Sequence, residues 1–183
     1  MRLFAAVTPP QEVREAALER AKNARWEGRI RWVPQQNVHL TLKFLGETPE
    51  ESIPQIEAAL ESVCLGHRAF DLALEGVGAF PSVNRARTLW VGAGEGAEAL
   101  TALAEDVEFA LQQLGFEREK RPFHPHATVG RAKDGRAVMT GEEPVSEPLG
   151  FSVRSVELVR SRLTDEGAVY SVAASFALSG ASS

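Results

Sequence analysis

Residues 121–131 read Arg-Pro-Phe-His-Pro-His-Ala-Thr-Val-Gly-Arg, and at their centre His126-Ala127-Thr128 repeats a phrase met earlier as His39-Leu40-Thr41. In a strand, residues i and i+2 share a face, so each His-x-Thr sets an imidazole and a hydroxyl side by side on one surface. Four histidines and eight threonines in 183 residues yield roughly 0.2 such tripeptides by chance, whereas the chain holds two, one in each half. Around the first copy the alternation extends from Asn37 to Leu45. It puts His39, Thr41 and Lys43 on one face and Val38, Leu40, Leu42 and Phe44 on the other, which is a strand with an apolar back.

Working outward, Arg2–Val7 reads as a first strand. Thr8-x-x-Gln11 with Pro9 at the first helical position forms a capping box for a helix to about Ala24, burying Val13, Ala17 and Ala21. Ile30–Val33 is a short strand. Ser52 and Gln55 bracket a second helix start that keeps Pro54 in the tolerated first turn; Ile53, Ile56, Leu60 and Val63 line it as far as Gly66. Ala69–Val77 and Arg87–Val91 are strands around a Gly- and Pro-rich loop at Gly76–Asn84. A long helix spans Ala97 to Leu114, closed by Gly115. Phe116–Arg121 is a candidate short strand, Pro125–Gly130 the second motif strand, and 133–148 a polar loop. Phe151–Leu163 and Ala168–Leu178 form a hairpin about Thr164–Gly167, and 179–183 is expected to fray.

Short connections favour hairpins over crossovers. The expected fold class is therefore α+β: one domain over 1–183, built of two lobes with mainly antiparallel sheets, helices outside and a weak internal duplication centred on the two motifs.

Composition narrows the function. A net charge of −5 argues against a broad nucleic-acid-coating surface, yet Glu117–Arg136 holds six Lys/Arg against three acids, which suits a small anionic ligand. No apolar run approaches 18 residues, so no membrane span is expected. Cys64 is the only cysteine, which excludes an internal disulfide and fits the cytoplasm. His124 and His126 share a face, but a zinc site needs three or four ligands and no acid or cysteine stands at ligand spacing, so neither metal nor other cofactor is expected. His124 is read as structural or as part of a rim. No Walker loop, Rossmann glycine pattern, nucleophile elbow or CxxC is present.

Two imidazoles near pKa 6.5 allow one neutral base and one protonated acid to coexist, as in-line attack on a phosphodiester requires. Thr41 and Thr128 can donate to phosphoryl oxygens, and Arg131 offers a bidentate fork. Arg131 lies five residues after His126, so in a regular strand it faces away; a bulge at Gly130 would re-aim it. Lys43 has the right parity and is a second cationic candidate. Trp32, Phe80, Trp90 and Phe123 can stack a base, Phe123 being nearest the motif, although core packing accounts for each.

On Arg31-Trp32-Val33, His39-Leu40-Thr41-Leu42-Lys43-Phe44-Leu45-Gly46, Gly78-Ala79-Phe80-Pro81, Pro122-Phe123-x-Pro125-His126-x-Thr128-x-x-Arg131 and Ser161-x-Leu163…Gly167…Tyr170, the chain resembles the 2H (two-histidine) phosphoesterase superfamily. Within it, the likeness is to the RNA 2′,3′-cyclic phosphodiesterases, the 2′-5′ RNA ligase-like family. The resemblance implies a bilobal, pseudo-symmetric pair of antiparallel sheets with the site in the cleft between them. It implies metal-independent opening of 2′,3′-cyclic phosphate ends of RNA or nucleotides to 2′-phosphates; the chain itself is expected to act as a monomer. It also makes His39 the acid on the 3′ oxygen and His126 the base for water, with Thr41, Thr128 and Arg131 holding the phosphate. Reversible 2′-5′ joining at the same site, and a nucleotide-binding module with little turnover, are the alternatives. Ala127 and Val129 are smaller than the aliphatics expected beside the second histidine.

Overall fold

Apolar residues on alternate positions and at helical spacing meet in one buried cluster. It takes Leu3, Ala5 and Val7 from the first strand, Ile56 and Leu60 from the second helix and Leu103 and Val107 from the third. In the computed structural model, which describes residues 1–143 and 145–181, the elements run in the following order. They are β1 (Arg2–Val7), α1 (Gln11–Asn23), β2 (Trp26–Glu27), β3 (Ile30–Trp32), β4 (Leu40–Glu47), α2 (Ile53–Leu65), β5 (Phe70–Ser82), β6 (Arg85–Ala93), α3 (Ala97–Gln112), β7 (His126–Ala132), β8 (Val138–Met139), β9 (Leu149–Val153), β10 (Ser155–Thr164) and β11 (Gly167–Ala177).

The strands form a four-stranded sheet ordered β11-β10-β1-β4, a five-stranded sheet ordered β3-β7-β6-β5-β9 and a small ribbon of β2 with β8. Every pairing within them is antiparallel. The expected α+β class is therefore the observed one. The four-stranded sheet joins both ends of the chain, since β1 lies between β4 and β10. Helix α1 packs on the five-stranded sheet, α2 on β10 and β11, and α3 on β4 and β5 against α2. Gly96, just before α3, has φ +83, and a Cβ there would stand 2.1 Å from the Asp71 carbonyl oxygen; only glycine lets α3 begin this close to β5.

Several local expectations give way. Thr8 does not cap α1: its hydroxyl donates to Glu157 at 2.7 Å, and the helix begins after Pro10 without a side-chain cap. Ser52 likewise makes no capping bond, although Pro54 does sit in the first turn of α2. The loop expected at Gly76–Asn84 is strand as far as Ser82, because ladder bonds to β6 outweigh its glycines and proline. Phe116–Arg121 forms no strand. The run 151–163 is two strands, not one. It breaks at Arg154, and β9 pairs with β5 while β10 pairs with β1, so the chain crosses here from one sheet to the other. Within 133–148, β8 adds a short pairing to β2, and Pro144 lies outside the described residues. Of the tail expected to fray, Ser179 is tied by backbone bonds to His67 and Ala69, and residues 182 and 183 lie outside the described residues.

Candidate active site

The two motif histidines stand on different sheets, where β4 and β7 run close together. His39 immediately precedes β4 and His126 opens β7. Each is anchored in the same way: His39 Nδ1 lies 2.7 Å from the Asn37 carbonyl oxygen and His126 Nδ1 lies 2.6 Å from that of His124. A carbonyl only accepts, so both Nδ1 atoms carry the proton and both Nε2 atoms are left to act. His39 Nε2 is already engaged, 2.8 Å from the Thr41 hydroxyl.

Rings hold the imidazoles. His39 stacks on Phe4 with centroids 4.7 Å apart and meets the edge of Tyr170 at 5.5 Å. His126 meets Phe80 edge-on at 5.1 Å and Trp90 at 6.2 Å. Trp90 lies across Gly78, where a Cβ would come within 2.3 Å of the indole, so a glycine in β5 makes room for the platform under His126. His124 joins this cluster at 4.8 Å from Trp90. Phe4 and Tyr170 were not among the site residues expected from sequence. Residues 3–7 are apolar on both faces, which concealed that Phe4 faces the site.

Burial pushes the pKa of both imidazoles below the ordinary value. The carbonyl bond opposes this in each case. The charge of His126 adds to the lowering at His39; at His126, the charges of His124 and Arg131 do so.

Parity along both motif strands is reset by register slips. In β7, Thr128 pairs with Trp90 and Gly130 with Leu89, leaving Val129 as an extra residue. Val129 and Gly130 are both buried, and Arg131 emerges on the face of His126 and Thr128, where it donates to the Thr88 hydroxyl at 3.3 Å. In β4, Ala6 pairs with Thr41 and Ala5 with Lys43, so Leu42 is extra. The consequence for the first motif is a correction. Lys43 turns away from His39 to the core side, only 6 % exposed, and its ammonium bonds Glu108 at 2.7 Å and the Glu117 carbonyl. Phe44, which regular alternation sends to the core, turns out onto the site face.

Lys43 is thus an internal tie between β4 and α3. Removing one partner strands the other in a poorly solvated place. Lys43→Ala is expected to cost about 3 kcal/mol in chemical denaturation while folded protein keeps its turnover; an unchanged midpoint would refute the tie. Phe123 packs against the main core and lines a cavity with Leu42 and Phe109. His67 bonds Asp106 at 2.6 Å, remote from both motifs in sequence and held by α3.

An antiparallel α+β fold carrying a matched imidazole–hydroxyl pair on each of two adjoining sheets has the layout of a two-histidine acid–base centre. The model of the 2′-5′ RNA ligase superfamily matches residues 9–165, and the chain belongs to that family. An Archaeoglobus fulgidus protein named RNA 2′,3′-cyclic phosphodiesterase is 38% identical over 173 residues, covering 93% of this chain and 96% of that one. A Thermus thermophilus protein of the same name is 38% identical, covering 98% and 91%. Among solved structures, one from Thermus thermophilus superposes with TM-score 0.78 at 34% identity over 98% of this chain and 99% of that one. Escherichia coli LigT complexed with 3′-AMP gives 0.79 at 26% over 97% and 98%.

Proposed function

We propose that the protein is an RNA 2′,3′-cyclic phosphodiesterase that opens terminal cyclic phosphates to 2′-phosphomonoesters without a metal. The observation that carries this is the matched anchoring of His39 and His126, each with Nδ1–H on the carbonyl two residues back and a threonine two residues on. In the reaction, water attacks phosphorus and gives its proton to one neutral Nε2. The bond from phosphorus to O3′ breaks, and the other imidazole, protonated, supplies the proton that O3′ needs. Thr41, Thr128 and Arg131 hold the non-bridging oxygens. Shared names of relatives at 38% identity support the substrate class.

The bond between His39 and Thr41 supports His39 as the acid. While His39 is neutral, its Nε2 accepts the Thr41 hydroxyl proton. Once His39 is protonated, Nε2 no longer accepts, so the hydroxyl proton turns to a phosphoryl oxygen and Nε2–H is left to serve O3′. A charged His39 and a donating Thr41 thus come together, leaving His126 as the base. One chain supplies both histidines, which supports a single two-lobed domain working as a monomer. Among the described residues no helix is long and apolar enough to cross a membrane; RNA ends as substrate and a lone buried thiol support action in the cytoplasm.

Purified protein in excess EDTA is expected to convert 2′,3′-cyclic AMP to the 2′-phosphate, followed by phosphorus NMR. Both imidazoles are held below their ordinary range by burial. The kcat/KM profile is therefore a bell that rises as the base loses its proton, falls as the acid does, and peaks on the acid side of about 6.5. Inactivity with EDTA, or a 3′-phosphate product, would overturn the reading. The family's name favours one second activity: a 5′-hydroxyl of RNA replacing water, with the same P–O3′ cleavage. An assay joining cyclic-phosphate and 5′-hydroxyl RNA halves decides it.

A further inference from the structure

Strand β3, at the edge of the five-stranded sheet, carries a guanidinium that the mechanism does not use. Arg31 lies directly opposite Arg131 in the β3–β7 ladder, between the pairs Ile30–Ala132 and Trp32–Gly130. Ile30, Trp32 and Ala132 pack on the main core, and a Cβ on Gly130 would stand 3.0 Å from Ile30 and 3.2 Å from Trp32, so that face is closed. Arg31 therefore shares the other face with Arg131, and both are exposed. The row continues to Thr88, which pairs with Arg131, and to Phe80, which pairs with Thr88 and meets His126 edge-on at 5.1 Å. One row thus leads across four strands from a ring on His126 to two guanidiniums at the sheet edge. Like charges directly opposite on neighbouring strands, with Cβ atoms about 5 Å apart, repel each other. Among the described residues neither arginine forms an ion pair. The Asp134 carboxylate just beyond β7 is taken by Arg29 through two bonds, of 3.1 and 2.7 Å. Two forks side by side, uncompensated and next to an acid–base centre, fit a ligand with two anionic groups. The reacting phosphate accounts for only one of them.

We propose that Arg31 binds the phosphate on O5′ of the same nucleoside whose 2′,3′-cyclic phosphate is opened, while Arg131 stays on the reacting phosphate. This rests on the phosphodiesterase reading. One ribose separates the two phosphates of such a substrate, and two long side chains from opposed positions can each reach one of them. An internucleotide phosphodiester and a terminal 5′-monophosphate both present the group; a cyclic nucleotide with a free 5′-hydroxyl leaves Arg31 unused.

The test compares kcat/KM for three substrates: 2′,3′-cyclic AMP, the same compound with a 5′-phosphate, and the dinucleotide of two adenosines with a free 5′-hydroxyl and a 2′,3′-cyclic phosphate end. The parent should favour the second, the third or both over the first by roughly tenfold to a hundredfold, as one charge-assisted contact allows. Preference for the second alone assigns the site to a terminal phosphate, and for the third alone to the phosphodiester. Arg31→Ala should bring the ratio within twofold of one and flatten the salt dependence of turnover on the phosphorylated substrates. Arg31→Lys should keep part of the preference. Adenosine 2′,5′-bisphosphate should inhibit the parent more tightly than 2′-AMP by a similar factor, and Arg31→Ala should be inhibited equally by both. Arg31 is exposed, so Arg31→Ala should melt like the parent. A parent that does not distinguish the substrates overturns the proposal. So does a preference that survives in Arg31→Ala, since equal losses on all three substrates make Arg31 a support for Arg131 only. A parent inactive on every substrate removes the phosphodiesterase reading and the proposal with it, which separates the two failures.

Discussion

His126→Ala is expected to slow opening of 2′,3′-cyclic AMP by at least about 10³-fold, and His39→Ala to do the same within an order of magnitude, each at saturating substrate. A positioned acid or base supplies roughly 10²–10⁴ in rate, and here each histidine is one half of a single proton-transfer event. The double variant should therefore lose far less than the product of the single losses. Structural damage is a separate matter for His39, because its ring lies between Phe4 and Tyr170. His39→Phe keeps that stack and removes the proton carrier, so it should melt like the parent and be as inactive as His39→Ala. The pH profile gives a second readout. Each surviving single variant should lose one limb of the bell: the rising limb with His126→Ala, the falling limb with His39→Ala. Residual activity within tenfold of the parent in either variant would falsify the two-histidine assignment. A swap of the lost limbs would leave the pair intact and exchange acid for base.

What could be read from the chain in advance was what depends on local period. The repeated His-x-Thr, the apolar faces of all three helices and the final hairpin about Thr164–Gly167 follow from spacing alone, and the structure has them. What could not be read depends on which strand lies opposite. A slip of one residue at Leu42 or Val129 is a property of the pair β1–β4 or β6–β7, and it inverts every later side chain in the strand. That is why Lys43 and Phe44 exchange their expected faces, and why the parity of Arg131 could not be decided from position 131. Arg154 is a similar case: nothing in the alternation of 151–163 marks the residue where the chain changes sheets. The ring under His39 was hidden for another reason. Phe4 has the composition of a core residue, and only the imidazole above it distinguishes a floor of the site from its interior; Trp90 was among the rings considered, and Gly78 beneath its indole marks it as a platform.

Arg131 gives the second large expected effect. Arg131→Ala should lower kcat/KM about 10²–10³-fold, the usual loss when one preorganised donor to a developing anion is removed. Arg131→Lys should recover only part of this, since an ammonium keeps the charge but not the planar fork. Among the described residues the guanidinium is lightly tethered, by one bond of 3.3 Å to Thr88, which leaves it able to close on phosphoryl oxygens. Two features separate a phosphate contact from a merely structural arginine. Arg131 is exposed, so its removal should leave the melting temperature nearly unchanged. Its charge also helps to keep His126 neutral. Taking that charge away lets the His126 pKa rise toward its ordinary value, and if His126 is the base, the rising limb of the kcat/KM profile must move to higher pH. Arg131→Lys should leave that limb near its parental position while turnover stays low. A large loss in Arg131→Ala with an unmoved limb would place the guanidinium too far from His126 to share its phosphate. The slip at Val129, which brings the two onto one face, would then serve the sheet and not the site.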